Sequence, residues 1–416
     1  MKKRLTLLWR KLNSLEFGKD VVLVPYYLGQ ALGYQTEICC GYSEKVAELI
    51  PTLSKKGLTF TKKPLGHNPY LRIPIYIKYL FQNASHIDLL MCFHWKLETL
   101  INILLYKLLN KHGQVYVKLD TSSGQEWDLT RHTFLGKTLR KILYTNCLKN
   151  VDVLSCETSQ AYNFLCNNSV FSKPMRQKLV LMPNAFDEEE FATSGISERE
   201  FQQKENLIIT VGRLGSHQKN TEMILDALEC IELKAWKFIL IGPIEEKFHQ
   251  AIEHFYQKHP EKKEQIIFIG KVNSKKDLWE WYNRAKVFVC TSRWESYGIV
   301  LNEAKRFKNY IISTNVGGAA DLIEQDKSRK TKSDGREKRK AIFEAKTKCA
   351  QKSRLLPPSG QNTSVVQTPF ESCLKDAFLL NFLLKYHLKT HCQFSKKSYL
   401  YIVVMLPLCI PSRPHS

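Results

Sequence analysis

The chain has 416 residues, 44% of them hydrophobic and 25% charged, with 62 Lys and Arg against 40 Asp and Glu for a net charge of +22. That length exceeds one ordinary core and points to about two or three domains. No run of roughly 18 apolar residues marks a membrane-spanning helix, and the twelve cysteines, scattered without a Cys-x-x-Cys pair, read as reduced core residues and not as a disulfide framework. Cys92, Cys156, Cys230 and Cys290 lie in or beside apolar runs, where a thiol packs as a small hydrophobe. The charge is uneven. Residues 327–416 hold 18 basic against 5 acidic residues, a net +13, which leaves 44 against 35, or +9, for the rest. A mildly basic body suits anionic substrates or an anionic membrane surface. The apolar stretch after Met1 is too short for a signal peptide and is interrupted by Arg10 and Lys11, so a cytoplasmic location is expected.

In chain order, short apolar runs alternate with helical patterns, the signature of βαβ units around a mostly parallel sheet. Leu5 to Trp9 reads as a strand, Lys19 to Leu32 as a helix and Thr36 to Cys40 as a strand. After a stretch without a clear pattern come His86 to Phe93 as a strand, Lys96 to Lys111 as a helix and Gln114 to Leu119 as a strand. The helix Leu139 to Leu148, the strand Val151 to Cys156, a helix from Ser159 to Cys166 and the strand Lys178 to Met182 complete a first α/β domain over residues 1–187. The charged segment 188–205 reads as a hinge.

A second α/β series occupies 206–326. Its strands are Leu207 to Val211, Lys237 to Ile241, Gln265 to Ile269, Val287 to Cys290 and Tyr310 to Ser313, with helices Asn220 to Ile231, Glu245 to Lys258, Ser274 to Ala285 and Tyr297 to Phe307 between them. Beyond Asp326 the alternation stops. The polar, Lys/Arg-rich run Lys327 to Arg354 leads into cationic segments with apolar patches at Phe378 to Leu384 and Tyr399 to Ile410, the latter too short to span a bilayer. This tail is expected to be a basic extension of low order or the product of a shifted reading frame, and it leaves the second domain incomplete.

Two motifs carry chemistry. Val211-Gly-Arg-Leu-Gly215 ends a strand, and Lys219 follows Arg213 by six residues at the next helix start. Two cations beside free amide groups can clamp a pyrophosphate, although solvated turn charges would look the same. Glu295 and Glu303 bracket Ser-Tyr-Gly-Ile-Val-Leu-Asn across a second strand-to-helix turn, where Gly298 lets the backbone approach a ligand. The helix entrance favours an anion and the carboxylates can accept hydrogen bonds from sugar hydroxyls. The competing interpretation makes Glu295 a helix-dipole residue and Glu303 part of a solvated face.

With these motifs, and with Met182-Pro-Asn-Ala-Phe-Asp, Ile241-Gly242, Phe268-Ile-Gly270 and Asn315-Val-Gly-Gly318, the chain resembles the retaining GT-B fold glycosyltransferases of family 4, especially those that build bacterial surface polysaccharides. The resemblance covers about three quarters of the chain and implies two Rossmann-like doubly wound domains facing a cleft. It implies that Arg213 and Lys219 hold the donor diphosphate, Glu295 lies by the donor sugar and Glu303 bonds the ribose. The amides of Tyr297 and Gly298 would hold phosphate oxygens, with Gly212 in the phosphate turn and the loops after Gly242 and Gly270 near the base. In the first domain, Gly18, His94 and Asp120 are candidates for the sugar and acceptor side; a His at a strand end is also a common structural residue.

The implied reaction moves a sugar from a nucleotide-diphosphate donor, UDP- or GDP-linked, to a glycan or lipid-linked acceptor with retention. No Asp-x-Asp stands beside the diphosphate site, so transfer without a metal or other cofactor is expected. Cys373, His387, His391 and Cys392 lack zinc-ligand spacing. The basic tail lacks the aromatic interleaving of a specific nucleic-acid site, and peripheral association with the inner membrane face is a further expectation. The rival interpretation is an inactive GT-B chain that keeps the donor motifs and binds polyanions through its tail.

Overall fold

A computed structural model describes residues 2–54, 57–66, 68–121, 127, 134–168, 170–322 and 403–405. The chain divides into two compact units, Met1–Glu189 and Glu190–Ser416.

The first unit is a seven-stranded parallel sheet with strands β1 (Arg4–Lys11), β2 (Gln35–Gly41), β3 (Leu58–Lys62), β4 (Leu89–Phe93), β5 (Gln114–Lys118), β6 (Val153–Cys156) and β7 (Leu179–Leu181). Its helices are α1 (Asp20–Leu32), α2 (Glu44–Leu53), α3 (Pro69–Asn83), α4 (Leu97–Leu109), α5 (Phe134–Lys149), α6 (Ser159–Asn167), α7 (Lys173–Arg176) and α8 (Glu188–Thr193), the last running across the division between the units. The spatial order is β3-β2-β1-β4-β5-β6-β7, so the chain reverses its winding between β1 and β4. Period-two alternation sends Leu7, Ile38 and Met91 to the α1 and α2 side, and Leu8, Cys39 and Cys92 to the side of α3, α4, α5 and α6. Right-handed crossovers account for this split. The unpatterned stretch after Cys40 holds α2, β3 and α3, and His86 sits in a one-turn 3-10 helix, so β4 starts at Leu89.

The second unit has β8 (Glu205–Val211), β9 (Lys237–Ile241), β10 (Ile266–Gly270), β11 (Ala285–Cys290), β12 (Tyr310–Ser313) and β13 (Val403–Met405), with α9 (Glu222–Glu229), α10 (Glu246–Lys258), α11 (Lys275–Arg284) and α12 (Ile299–Arg306). The sheet order is β10-β9-β8-β11-β12-β13, with a switch point between β8 and β11. A buried core of Ile208, Leu225, Leu228, Phe238, Leu240, Phe248, Val287 and Ile312 lies under one face. The segment expected as a hinge contains α8, whose Phe191 ring packs against Trp279 and Phe307 of the second unit.

One expectation is corrected. Cys230 is exposed at the end of α9, where the amphipathic pattern closes. Within the run Tyr399 to Ile410, Val403–Met405 adds an antiparallel strand to the edge of the second sheet, pairing Ile311 with Met405 and Ser313 with Val403; β-branched valines suit a sheet edge. The remaining tail features, including the Lys327 to Arg354 run and Cys373, His387, His391 and Cys392, lie outside the described residues. Among the described residues no helix is long and apolar enough to cross a membrane.

Candidate active site

In an open parallel sheet, the loops after the two strands at the switch point diverge and leave a crevice at the strands' carboxyl ends. In the second unit those strands are β8 and β11. The loop after β8 carries Gly212, Arg213 and Lys219, and the loop after β11 carries Glu295, Tyr297 and Gly298, so residues about eighty positions apart converge.

Convergence is direct. Lys219 Nζ lies 2.5 Å from Glu295 Oε1, and the Ser292 hydroxyl donates to the same oxygen at 2.5 Å. Gln218 Nε2 donates to Glu295 Oε2 at 3.4 Å and to the Trp294 carbonyl at 3.1 Å, while its Oε1 accepts from Arg213 at 2.9 Å. Glu295 is buried, Lys219 is half-buried and Arg213 is exposed. The carboxylate is thus oriented by three donors, and the guanidinium keeps its open side to solvent. Gln218 and Ser292 escaped the sequence analysis; their only signal was adjacency to Lys219 and proximity to Glu295.

Glycines shape the surrounding backbone. Gly242, just past β9, has a φ of 140°, and a Cβ there would stand 1.7 Å from the Gly212 carbonyl oxygen. Gly212 N–H in turn donates to the Ile241 carbonyl, and Gly242 N–H to that of Gly270. The three strand ends are therefore stitched together. Gly270 has a φ of 76° with open space where a Cβ would be.

Gly298 caps α12 with a φ of 89°, a left-handed turn that glycine tolerates, and the Leu301 N–H donates to its carbonyl at 2.9 Å. Tyr297 is buried, its hydroxyl donating to Asn302 Oδ1 at 3.3 Å, while Gly317 and Gly318 pack where any Cβ would strike the Tyr297 carbonyl or ring. Glu303 lies one turn into α12. Burial pushes its carboxyl up, an effect opposed by the Tyr282 hydroxyl and the Lys275 charge, so it faces α11 and is not on a fully solvated face.

In the first unit, the switch point between β1 and β4 places Gly18 in the turn before α1 and His94 just past β4. His94 takes a left-handed φ of 60°, its N–H donates to the Lys118 carbonyl at 2.9 Å, and its ring lies beside Trp9 and Phe93. Burial lowers its imidazole to about 4, despite the opposing Asp120 carboxylate. Asp120 is exposed at the end of β5.

The first unit also holds a buried ionic network with no signature in the sequence. Lys118 is fully buried, 3.0 Å from Asp20 Oδ2 and ion-paired with the fully buried Glu157, whose Oε1 also accepts from Asn184 at 2.9 Å. Burial would lower the Lys118 ammonium, but Asp20 and Glu157 together raise it; Glu157 is pushed up by burial, with Lys118 opposing. These residues come from β5, β6 and α1, 98 and 39 positions apart, with no local motif to announce them.

Residues 195–338 match the family model "Glycosyl transferases group 1". Over 127 residues the chain is 32% identical to the amylovoran biosynthesis glycosyltransferase AmsD of Erwinia amylovora, covering 30% of this chain and 34% of that protein. It spans about a third of the length of the curated relatives it matches. Among solved structures, a glycosyltransferase from Rickettsia africae superposes with a TM-score of 0.59 at 15% identity, over 77% of this chain and 82% of that one. Anabaena HepE, solved in complex with UDP and glucose, gives a TM-score of 0.51 at 13% identity over 77% and 83%. The chain thus has the two-domain GT-B fold, and its second unit carries a glycosyltransferase domain.

Proposed function

We propose that the chain is a retaining glycosyltransferase of family 4 that moves a sugar from a nucleotide-diphosphate donor to a glycan or lipid-linked acceptor in surface polysaccharide synthesis. The observation that carries this reading is the second-unit network in which Arg213, Gln218, Lys219, Ser292 and Glu295 meet at the switch point, in the loops that lead to Gly298 and α12. Arg213 and Lys219 would take the diphosphate and stabilise its charge as the glycosidic bond breaks, so that no metal is needed. Glu295, held by Lys219 and Ser292, would accept from a donor-sugar hydroxyl, and Glu303 from the ribose. HepE holds UDP in its own structure, which favours a uridine donor here. The relative in amylovoran synthesis favours a polysaccharide acceptor.

The test is sugar transfer from UDP-glucose and UDP-galactose to lipid extract by the full-length chain, with the anomeric configuration of the product read by NMR. Transfer with retention, lost in Glu295→Gln by at least about a hundredfold, supports the proposal. Inversion would refute the family 4 assignment, and no transfer or hydrolysis of any nucleotide sugar would refute the activity.

A further inference from the structure

The loops that bear the donor-site motifs also carry an exposed aromatic pair. Trp294 precedes the buried Glu295 in the loop after β11, and it is 50% exposed. Among residues 190–322 the only other exposed large apolar side chain is Ile269, at 37%, so this indole is an exception on a surface that otherwise hides its apolar groups. Beside it stands His217 of the loop after β8, also exposed, with ring centroids 5.5 Å apart and planes tilted by 50°.

Three hydrogen bonds hold the two loops in this arrangement. Arg293 N–H donates to the Gln218 carbonyl at 2.8 Å, the Arg293 guanidinium to the His217 carbonyl at 2.7 Å, and Gln218 Nε2 to the Trp294 carbonyl at 3.1 Å. The backbones that bear the rings are therefore fixed to one another before a ligand arrives, and little loop ordering is left to oppose binding.

Position on the sheet narrows what the pair can meet. The order β10-β9-β8-β11 puts the loops after Gly242 and Gly270, expected near the nucleotide base, on one side of β8 and the Trp294 loop on the other. Glu295, expected at the donor sugar, is turned inward to Lys219 and Ser292, while the residue before it is open to solvent. On that reading the space over the pair lies outside both the base and the donor sugar. An indole face carries partial negative charge and attracts the positively polarised C–H groups on the flat face of a pyranose ring. The exposed guanidinium of Arg293 has further N–H groups to offer the hydroxyls at such a ring's edge.

We infer that Trp294 and His217 form a stacking site for a sugar ring of the acceptor glycan. The inference rests on the proposed transferase reading, which supplies the glycan, and it adds an acceptor contact to the unit that carries the donor motifs.

The test is a proton–nitrogen correlation spectrum of the indole groups in the full-length chain, labelled in its seven tryptophans and titrated with UDP and with tetrasaccharides of glucose and of galactose. Trp294→Phe identifies the Trp294 signal by its loss. That signal should move saturably with at least one tetrasaccharide and stay in place with UDP alone, and His217→Ala should weaken the titration by about threefold or more. Kinetics supplies a second readout. With UDP-glucose or UDP-galactose and lipid extract, Trp294→Ala should raise the half-saturating amount of extract by about tenfold, Trp294→Phe should bring it back to within about threefold of the parent chain, and the donor KM should not change. A Trp294 signal indifferent to every tetrasaccharide, or one that moves with UDP alone, overturns the inference, as does an equal rise in the donor KM. Absence of UDP binding by the unsubstituted chain counts against the donor site instead, because stacking on Trp294 is read without nucleotide.

Discussion

His94 combines a left-handed backbone, a ring packed beside Trp9 and Phe93, and an imidazole lowered to about 4 by burial. At neutral pH it is uncharged, so it can donate and accept one hydrogen bond but cannot serve as a fixed cation. An NMR titration should place its midpoint near 4 and not near the ordinary 6.5. The unfolded chain takes up this proton near 6.5 and the folded chain only near 4. The contribution of His94 is therefore complete above 6.5 and is lost as pH falls through that window. A midpoint near 6.5 would contradict this environment. His94 could be read from its place behind an apolar run, but its neutrality depends on packing from β1 and β4, which no local pattern contains.

At the element scale, the strand ends of the second unit rest on glycines with different obligations. Gly242→Ala forces a Cβ into the Gly212 carbonyl at a φ that side chains rarely adopt; it should cost about 3 kcal/mol or more in denaturant unfolding. Gly270→Ala meets open space and should cost only about 1 kcal/mol, the left-handed penalty alone. Equal costs would show that the β8–β9 approach is not tight. Lys118, Asp20 and Glu157 tie β5, β6 and α1 together. Glu157→Gln leaves the buried Lys118 with one carboxylate and should destabilise by about 3 kcal/mol. The double change Lys118→Met with Glu157→Gln should recover much of that loss, and simple additivity in the cycle would show that the pair is not coupled.

The strands and helices with strong alternation were legible: Lys237–Ile241 and Tyr310–Ser313 fall where the apolar runs place them. The stretch with α2, β3 and α3 was not, because Pro51 and Pro74 lie inside its helices and β3 is a short, half-exposed edge strand rich in threonine.

For the whole molecule, two mostly parallel sheets each reverse their winding once, and each reversal gathers ionisable residues at the strand ends: Arg213, Lys219 and Glu295 in one unit, and Asp20, His94, Lys118, Asp120 and Glu157 in the other. The donor-side motifs could be found in the sequence because turn glycines and a carboxylate pair at fixed spacing are local. The first-unit network could not, because its members meet only once the sheet has formed.

The central claim is that the Arg213–Gln218–Lys219–Glu295 network is a working nucleotide-diphosphate site. Its most direct test is a calorimetric titration of the full-length chain with UDP, GDP and ADP, with and without EDTA, beside Arg213→Ala. The account predicts saturable, EDTA-insensitive binding of UDP that falls by about tenfold or more in the variant, the scale of a charge-assisted hydrogen bond. Binding of none of the three nucleotides, or UDP binding that Arg213→Ala leaves unchanged, would contradict it.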